Sequence, residues 1–143
     1  MAKIVSINIS KEKGVVKVPV NSAEIKIDHG IVGDAHAGNW HRQISMLAQE
    51  SVDKMKAKGF DHLKHGDFAE NITTEGIEVF TLPVGTKLRV GDCEMEVTQI
   101  GKKCHNGCQI KQVTGDCVMP REGIFVKVIK EGIINVNDTI DVL

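Results

Sequence analysis

The chain has 143 residues, 41% hydrophobic and 26% charged, with a formal charge of −1 and only five aromatic side chains, none of them tyrosine. That length suits one domain, residues 1–143, with a substantial core, and the balance is that of a globular protein. A near-neutral chain lacks the basic excess that nucleic acid or an anionic membrane demands, and so few aromatics offer no platform for stacked bases.

Residues 3–9 alternate loosely through Ile4, Val5, Ile7 and Ile9 and read as a strand. No signal-peptide pattern opens the chain, and no apolar run approaches the roughly 20 residues a bilayer span needs. The expected location is therefore the cytoplasm, with no membrane partner. A charged turn at Lys11-Glu12-Lys13-Gly14 leads to an extended segment, Val15 to Val20. Ala23 to Asp28 alternates cleanly, as a half-buried strand does. The next stretch, His29 to Gly38, carries three glycines and two histidines and reads as a loop.

Ile44 to Leu47 predicts a short strand, and Gln49 to Lys58 a helix. Gly59 stands where a left-handed cap would end that helix, lysines crowd its last turn, and Glu50 and Lys54 form a four-residue charge pair. Phe68 to Thr73 leads through Thr74-Glu75-Gly76 into Ile77-Glu78-Val79. Beyond Gly85, Lys87 to Val90 and Glu94 to Ile100 are joined at Gly91-Asp92-Cys93, a hairpin signal. Ile124 to Ile129 and Thr139 to Val142, with a turn at Lys130-Glu131-Gly132, are expected to close the chain as an antiparallel pair. Short strands with turn residues about every eight to twelve positions predict a mostly β fold: a closed or half-closed antiparallel β-barrel with one or two short helices.

The chemistry concentrates in Lys102-Lys103-Cys104-His105-Asn106-Gly107-Cys108, followed by Cys117 and by Met119-Pro120-Arg121. Cysteines in a reducing compartment are more often metal ligands or reactive thiols than disulfides. Cations beside Cys104 favour its thiolate, which is both nucleophile and metal ligand, and a turn after a strand would hold the sulfur near a barrel mouth. The plainer reading is a small buried apolar side chain. Cys108 and Cys117 could join Cys104 and His105 around zinc, although only Cys104 and Cys108 have a zinc-like spacing. Cys93, at the hairpin, reads as structural.

A second wall is Gly33-Asp34-Ala35-His36-Ala37-Gly38-Asn39-Trp40-His41-Arg42. Its glycines let backbone amides approach a ligand and hold an anion, and His36, His41 and Arg42 add donors suited to phosphate. Glu70-Asn71 either binds a polar ring edge or anchors a strand end.

Taken together these blocks resemble the MOSC domain, the module named after the C-terminal part of molybdenum cofactor sulfurase. Gly33 to Gly38 is similar to its glycine, aspartate and histidine loop. Phe68-Ala69-Glu70-Asn71-Ile72-Thr73-Thr74-Glu75-Gly76-Ile77 is similar to its GEN(I/L)xTxG segment, Gly85 to Gly91 to its hairpin, and Cys104 to its signature cysteine. The likeness covers nearly the whole chain, is nearest to small stand-alone bacterial MOSC proteins, and implies a barrel like that of pyruvate kinase.

It also implies handling of the molybdenum cofactor (molybdopterin), with Cys104 as molybdenum ligand or persulfide carrier and Cys108 and Cys117 as alternative ligands or resolving thiols. The candidate cofactor-binding set is Asp34, His36, Gly38, Arg42, Glu70, Asn71, Lys103, His105 and Arg121. The 143 residues hold no counterpart of the large N-terminal domain that helps larger members grip the pterin. Three functions follow as expectations. The first is a cofactor-binding or sulfur-carrying protein served by a cysteine desulfurase and delivering to a molybdoenzyme. The second is a molybdenum-dependent reductase of N-hydroxylated compounds, and the third a zinc-stabilised interaction domain. An exposed barrel edge would allow a homo-oligomer.

Overall fold

The structure, a computed structural model, describes residues 2–12, 17–57, 65, 70–101 and 122–143. Lys103, Cys104, His105, Cys108, Cys117 and Arg121 lie outside the described residues, as does Gly59, the expected helix cap.

Eleven strands and one α-helix are described: β1 (Lys3–Ile9), β2 (Val18–Val20), β3 (Ser22–Lys26), β4 (Gly30–Ile31), β5 (Ile44–Ala48), α1 (Gln49–Ala57), β6 (Ile72–Glu75), β7 (Lys87–Val90), β8 (Cys93–Ile100), β9 (Ile124–Lys130), β10 (Gly132–Asn135) and β11 (Ile140–Val142), with a 3₁₀ turn at Val79–Thr81 after β6. Eight strands form one sheet in the order β11-β7-β8-β9-β5-β6-β1-β2, and β10-β3-β4 form a second. The fold is mostly β, as expected, and its large sheet is a half-closed barrel. Lys3 bridges Thr139 at the open seam, where the Ile4 amide donates to Asp138 O at 2.9 Å and Asn137 N to Ile4 O at 2.9 Å. β1 holds β6 along one edge and β2 at Ile7–Ile9 on the other.

Two pairings differ from expectation. β5 and β6 run parallel, the helix α1 between them serving as the crossover, so the sheet is mixed. β9 does not pair with β11: its edges are taken by β8 and β5, while β11 lies on β7. The turn after β9 instead sends β10 across to β3.

The core follows from period-two alternation. Ile4, Ile7, Ile44, Met46, Ile72, Leu88, Val90, Met95, Val97, Ile124 and Val126 are sealed in one cluster, each contributing about 1.5–3 kcal/mol on burial. Strand β5 is buried at all five positions. Its Ile44 and Met46 belong to the core cluster, so Ser45 and Leu47 project from the opposite face, which must also be covered. Register carries the rule across the sheet: Leu47 lies beside Thr73, and Thr73 beside Ser6. A polar patch is thus built on the outer face of β1, β5 and β6.

Gly30 anchors that cover. Its φ is +111°, and a Cβ there would stand 2.7 Å from the backbone oxygen of Gln43, so neither conformation nor space admits a side chain.

Candidate functional site

Asp34 comes from the loop after β4, which is tied to the end of β1 by Ala35 N donating to Ser10 O at 2.8 Å. Its Oδ1 accepts from Ser10 N at 3.1 Å and from Lys17 Nζ at 2.7 Å; its Oδ2 accepts from His36 N at 3.2 Å. The Lys17 and Asp34 side chains are 1% and 0% exposed, a fully buried ion pair. Burial alone would raise the Asp34 carboxyl, but Lys17, the Ser10 amide and the Asn71 side chain together hold it below its ordinary 3.8. The Lys17 ammonium also reaches Ser10 Oγ at 3.3 Å and His36 Nδ1 at 3.0 Å.

The Asn71 side chain joins this group to a second. Its Oδ1 accepts from Ser45 N at 2.9 Å and Ser45 Oγ at 3.2 Å, and its Nδ2 donates to Asn8 O at 3.1 Å. The Asn8 amide returns a bond to Asn71 O at 2.6 Å. Asn71 therefore pins the start of β6 to both β5 and β1. Glu70 is fully buried and accepts from Thr73 Oγ1 at 3.0 Å; that hydroxyl also takes Asn8 Nδ2 at 3.4 Å, and Ser6 Oγ donates to Asn8 Oδ1 at 2.7 Å. Five stretches of the sequence (residues 6–10, 17, 34–36, 45 and 70–73) thus share one continuous buried network that holds the Asp34–Lys17 ion pair and the Glu70 side chain.

The structure brings Asp34, His36, Glu70 and Asn71 together, as expected. It corrects the role given to the loop amides. Asp34 N donates to Ile31 O, Ala35 N to Ser10 O, His36 N to Asp34 Oδ2, Ala37 N to Asp34 O and Gly38 N to His29 O. These donors shape the loop and are not turned toward an anion. At Gly38 an added Cβ would meet only Trp40 Cδ1 at 3.8 Å, so that glycine is not demanded by space.

Arg42 stands at the lip. Its Nε donates to Gln99 Oε1 at 3.1 Å and its guanidinium lies 5.2 Å from the Phe125 ring centroid. His41 Nε2 shares the same Gln99 oxygen at 3.1 Å. Arg42 Nε is thus held and one face of the guanidinium is stacked. Gln99 precedes Cys104 by five residues, and Gly101 N is bonded to Gly123 O at 2.6 Å, so both flanks of the cysteine-rich segment sit side by side next to this cluster.

Cys93 is core: burial, then the nearby Asp92 charge, pushes its thiol up to about 11, as its structural reading requires. Among the described residues, no group of three His, Cys, Asp or Glu side chains is placed to hold a metal ion. No described helix is long and apolar enough to cross a membrane. A separate cavity of about 620 Å3, lined by Glu50, Ser51, Lys54, Gly76, Ile77, Glu78, Phe80 and Thr81, shares no residue with the network.

Lys17 is the functional residue that sequence reasoning missed. The one trace it leaves is a lysine between valines in Val15-Val16-Lys17-Val18, a place where a charge needs a buried partner or a solvent-facing position.

Comparison with known proteins bears on the family and the fold. The profile of the MOSC domain matches residues 33–141. The YuaD protein of Bacillus subtilis superposes with a TM-score of 0.82 at 20% identity, covering 99% of this chain and 94% of that one. YiiM of Geobacillus stearothermophilus gives 0.75 at 19% identity over 100% and 75%, and YiiM of Escherichia coli 0.67 at 18% over 99% and 69%. No curated protein matches the chain in sequence.

Proposed function

Since the chain belongs to the MOSC domain family, we propose that it binds the molybdenum cofactor or carries sulfur for it through a Cys104 thiolate. The observation that carries this reading is the buried network itself. Enclosing the Asp34 and Lys17 charges costs several kcal/mol per ion before pairing, and enclosed titratable clusters of this kind concentrate at functional sites. Among the described residues His36 and Arg42 suit donation to a polar ring system and an anionic substituent, while the enclosed Asp34 carboxylate braces the loop that carries His36. The metal's protein ligand or the carried sulfur is assigned to Cys104, whose sequence neighbours Lys102, Lys103 and His105 favour ionisation, with Cys108 and Cys117 as alternative ligands. When bound, the cofactor supplies a redox-active, sulfur-seeking metal; the chain supplies orientation and the thiolate.

The test is elemental analysis and intact mass, with wild type and Cys104→Ser purified from cells that make the cofactor and then offered a cysteine desulfurase with cysteine. Molybdenum, or one added sulfur, is expected on the wild type and neither on the variant. Both absent from wild type would remove the proposal. One zinc per chain with neither of them would turn the assignment to a zinc-stabilised interaction domain. Turnover of an N-hydroxylated compound by molybdenum-loaded protein would make it a reductase.

A further inference from the structure

The contact between Lys17 and His36 decides a proton position that distances alone do not. Asp34 Oδ1 lies 2.7 Å from Lys17 Nζ, and both side chains are buried, so the amine keeps its charge. An ammonium has three N–H donors and no lone pair. Its acceptors include Asp34 Oδ1, Ser10 Oγ at 3.3 Å and His36 Nδ1 at 3.0 Å. The last contact requires a lone pair on Nδ1, which places the ring proton on Nε2. Protonating both nitrogens would turn an N–H toward an N–H and a cation toward a cation. The histidine main chain is fixed as well, its N–H on Asp34 Oδ2 at 3.2 Å and its carbonyl taking Trp40 Nε1 at 2.9 Å.

We infer that Lys17 is a positioning residue that locks His36 as the neutral tautomer carrying its proton on Nε2. In a five-membered ring Nε2 lies on the edge away from Nδ1, so the lock turns an N–H donor away from the buried ion pair. An Nε2–H donor matches a lone pair, such as that of an oxo, phosphate or ring carbonyl oxygen. The His36 Nδ1 is closed to metal, and the ring is not a general base. Which ligand meets that donor rests on the function proposed above; the tautomer does not.

The experiment is long-range ¹H–¹⁵N correlation of protein labelled in histidine, at neutral pH, with His36→Gln used to assign the His36 signals among the six histidines. The expected spectrum has an unprotonated Nδ1 and a protonated Nε2 in one population. A protonated Nδ1, as the other tautomer or as imidazolium, would overturn the inference. In Lys17→Met the pure pattern is expected to give way to exchanging tautomers, and an unchanged pattern would also overturn it. Should that variant not fold, the wild-type spectrum decides alone. The tautomer and the assays on Cys104 fail independently, so neither result can stand in for the other.

Discussion

Replacing Lys17 by Met removes the charge that compensates Asp34 and leaves the carboxylate enclosed. The pair is 2.7 Å apart with side chains 1% and 0% exposed, so the relevant scale is that of a broken buried pair, about 3–5 kcal/mol, and not the 0–1 kcal/mol of a surface pair. At a urea slope of about 2 kcal/mol per molar, the midpoint should fall by roughly 2 M. Asp34→Asn in the same chain removes the stranded charge while keeping an acceptor for the Ser10 amide, so the double variant should regain a large part of the loss.

The pH dependence has a definite sign. In the wild type the Asp34 carboxyl is held below its ordinary 3.8, so its stabilisation is present above that value and is withdrawn as pH falls through the folded-state value. Without Lys17, burial dominates and lifts the carboxyl above 3.8, and protonation then relieves the strain. The gap between wild type and Lys17→Met should therefore narrow as pH drops below about 5. Equilibrium urea unfolding of the four proteins across that range is the assay. A Lys17→Met cost within about 1 kcal/mol of zero, or no rescue by Asp34→Asn, would refute the argument.

Three further outcomes follow from single positions. Thr74 Oγ1 is buried with no hydrogen-bond partner among the described residues, so Thr74→Val should leave stability unchanged or raise it by about 1 kcal/mol in urea unfolding. Gly30→Ala meets both a positive φ and the Gln43 carbonyl, and should lower stability by about 2–4 kcal/mol in the same assay, displacing the loop that carries Asp34. Cys93, with its thiol raised to about 11, should stay unlabelled by iodoacetamide in native protein at mildly alkaline pH and react after unfolding, as peptide mapping will read.

Legibility followed locality. β1, β5, α1, β7 and β8 announce themselves through short-range periodicity, caps and a Gly-Asp turn, and they stand where the sequence places them. Pairing between distant strands is written in no local pattern: Ile124 to Ile129 and Thr139 to Val142 have the signature of partners, yet each found a longer-range neighbour. In the site, Asp34, His36, Glu70 and Asn71 were visible as motifs because polar and glycine residues interrupt apolar runs. Lys17 was hidden because an isolated lysine in an extended segment is ordinarily a solvated one, and its burial depends on a carboxylate seventeen residues away. The amides of residues 34–38 misled for a related reason: a glycine-rich loop advertises free donors, while each of these is engaged within the fold.

The sharpest test is the ionisation of one sulfur. In protein whose other cysteines (Cys93, Cys108 and Cys117) are replaced by serine, the alkylation rate of Cys104 against pH should inflect well below the 8.5 or so of a free cysteine, consistent with a thiolate ready for metal or persulfide at neutral pH. An inflection at or above about 8.5, or no reaction in the folded protein, would contradict the proposed role.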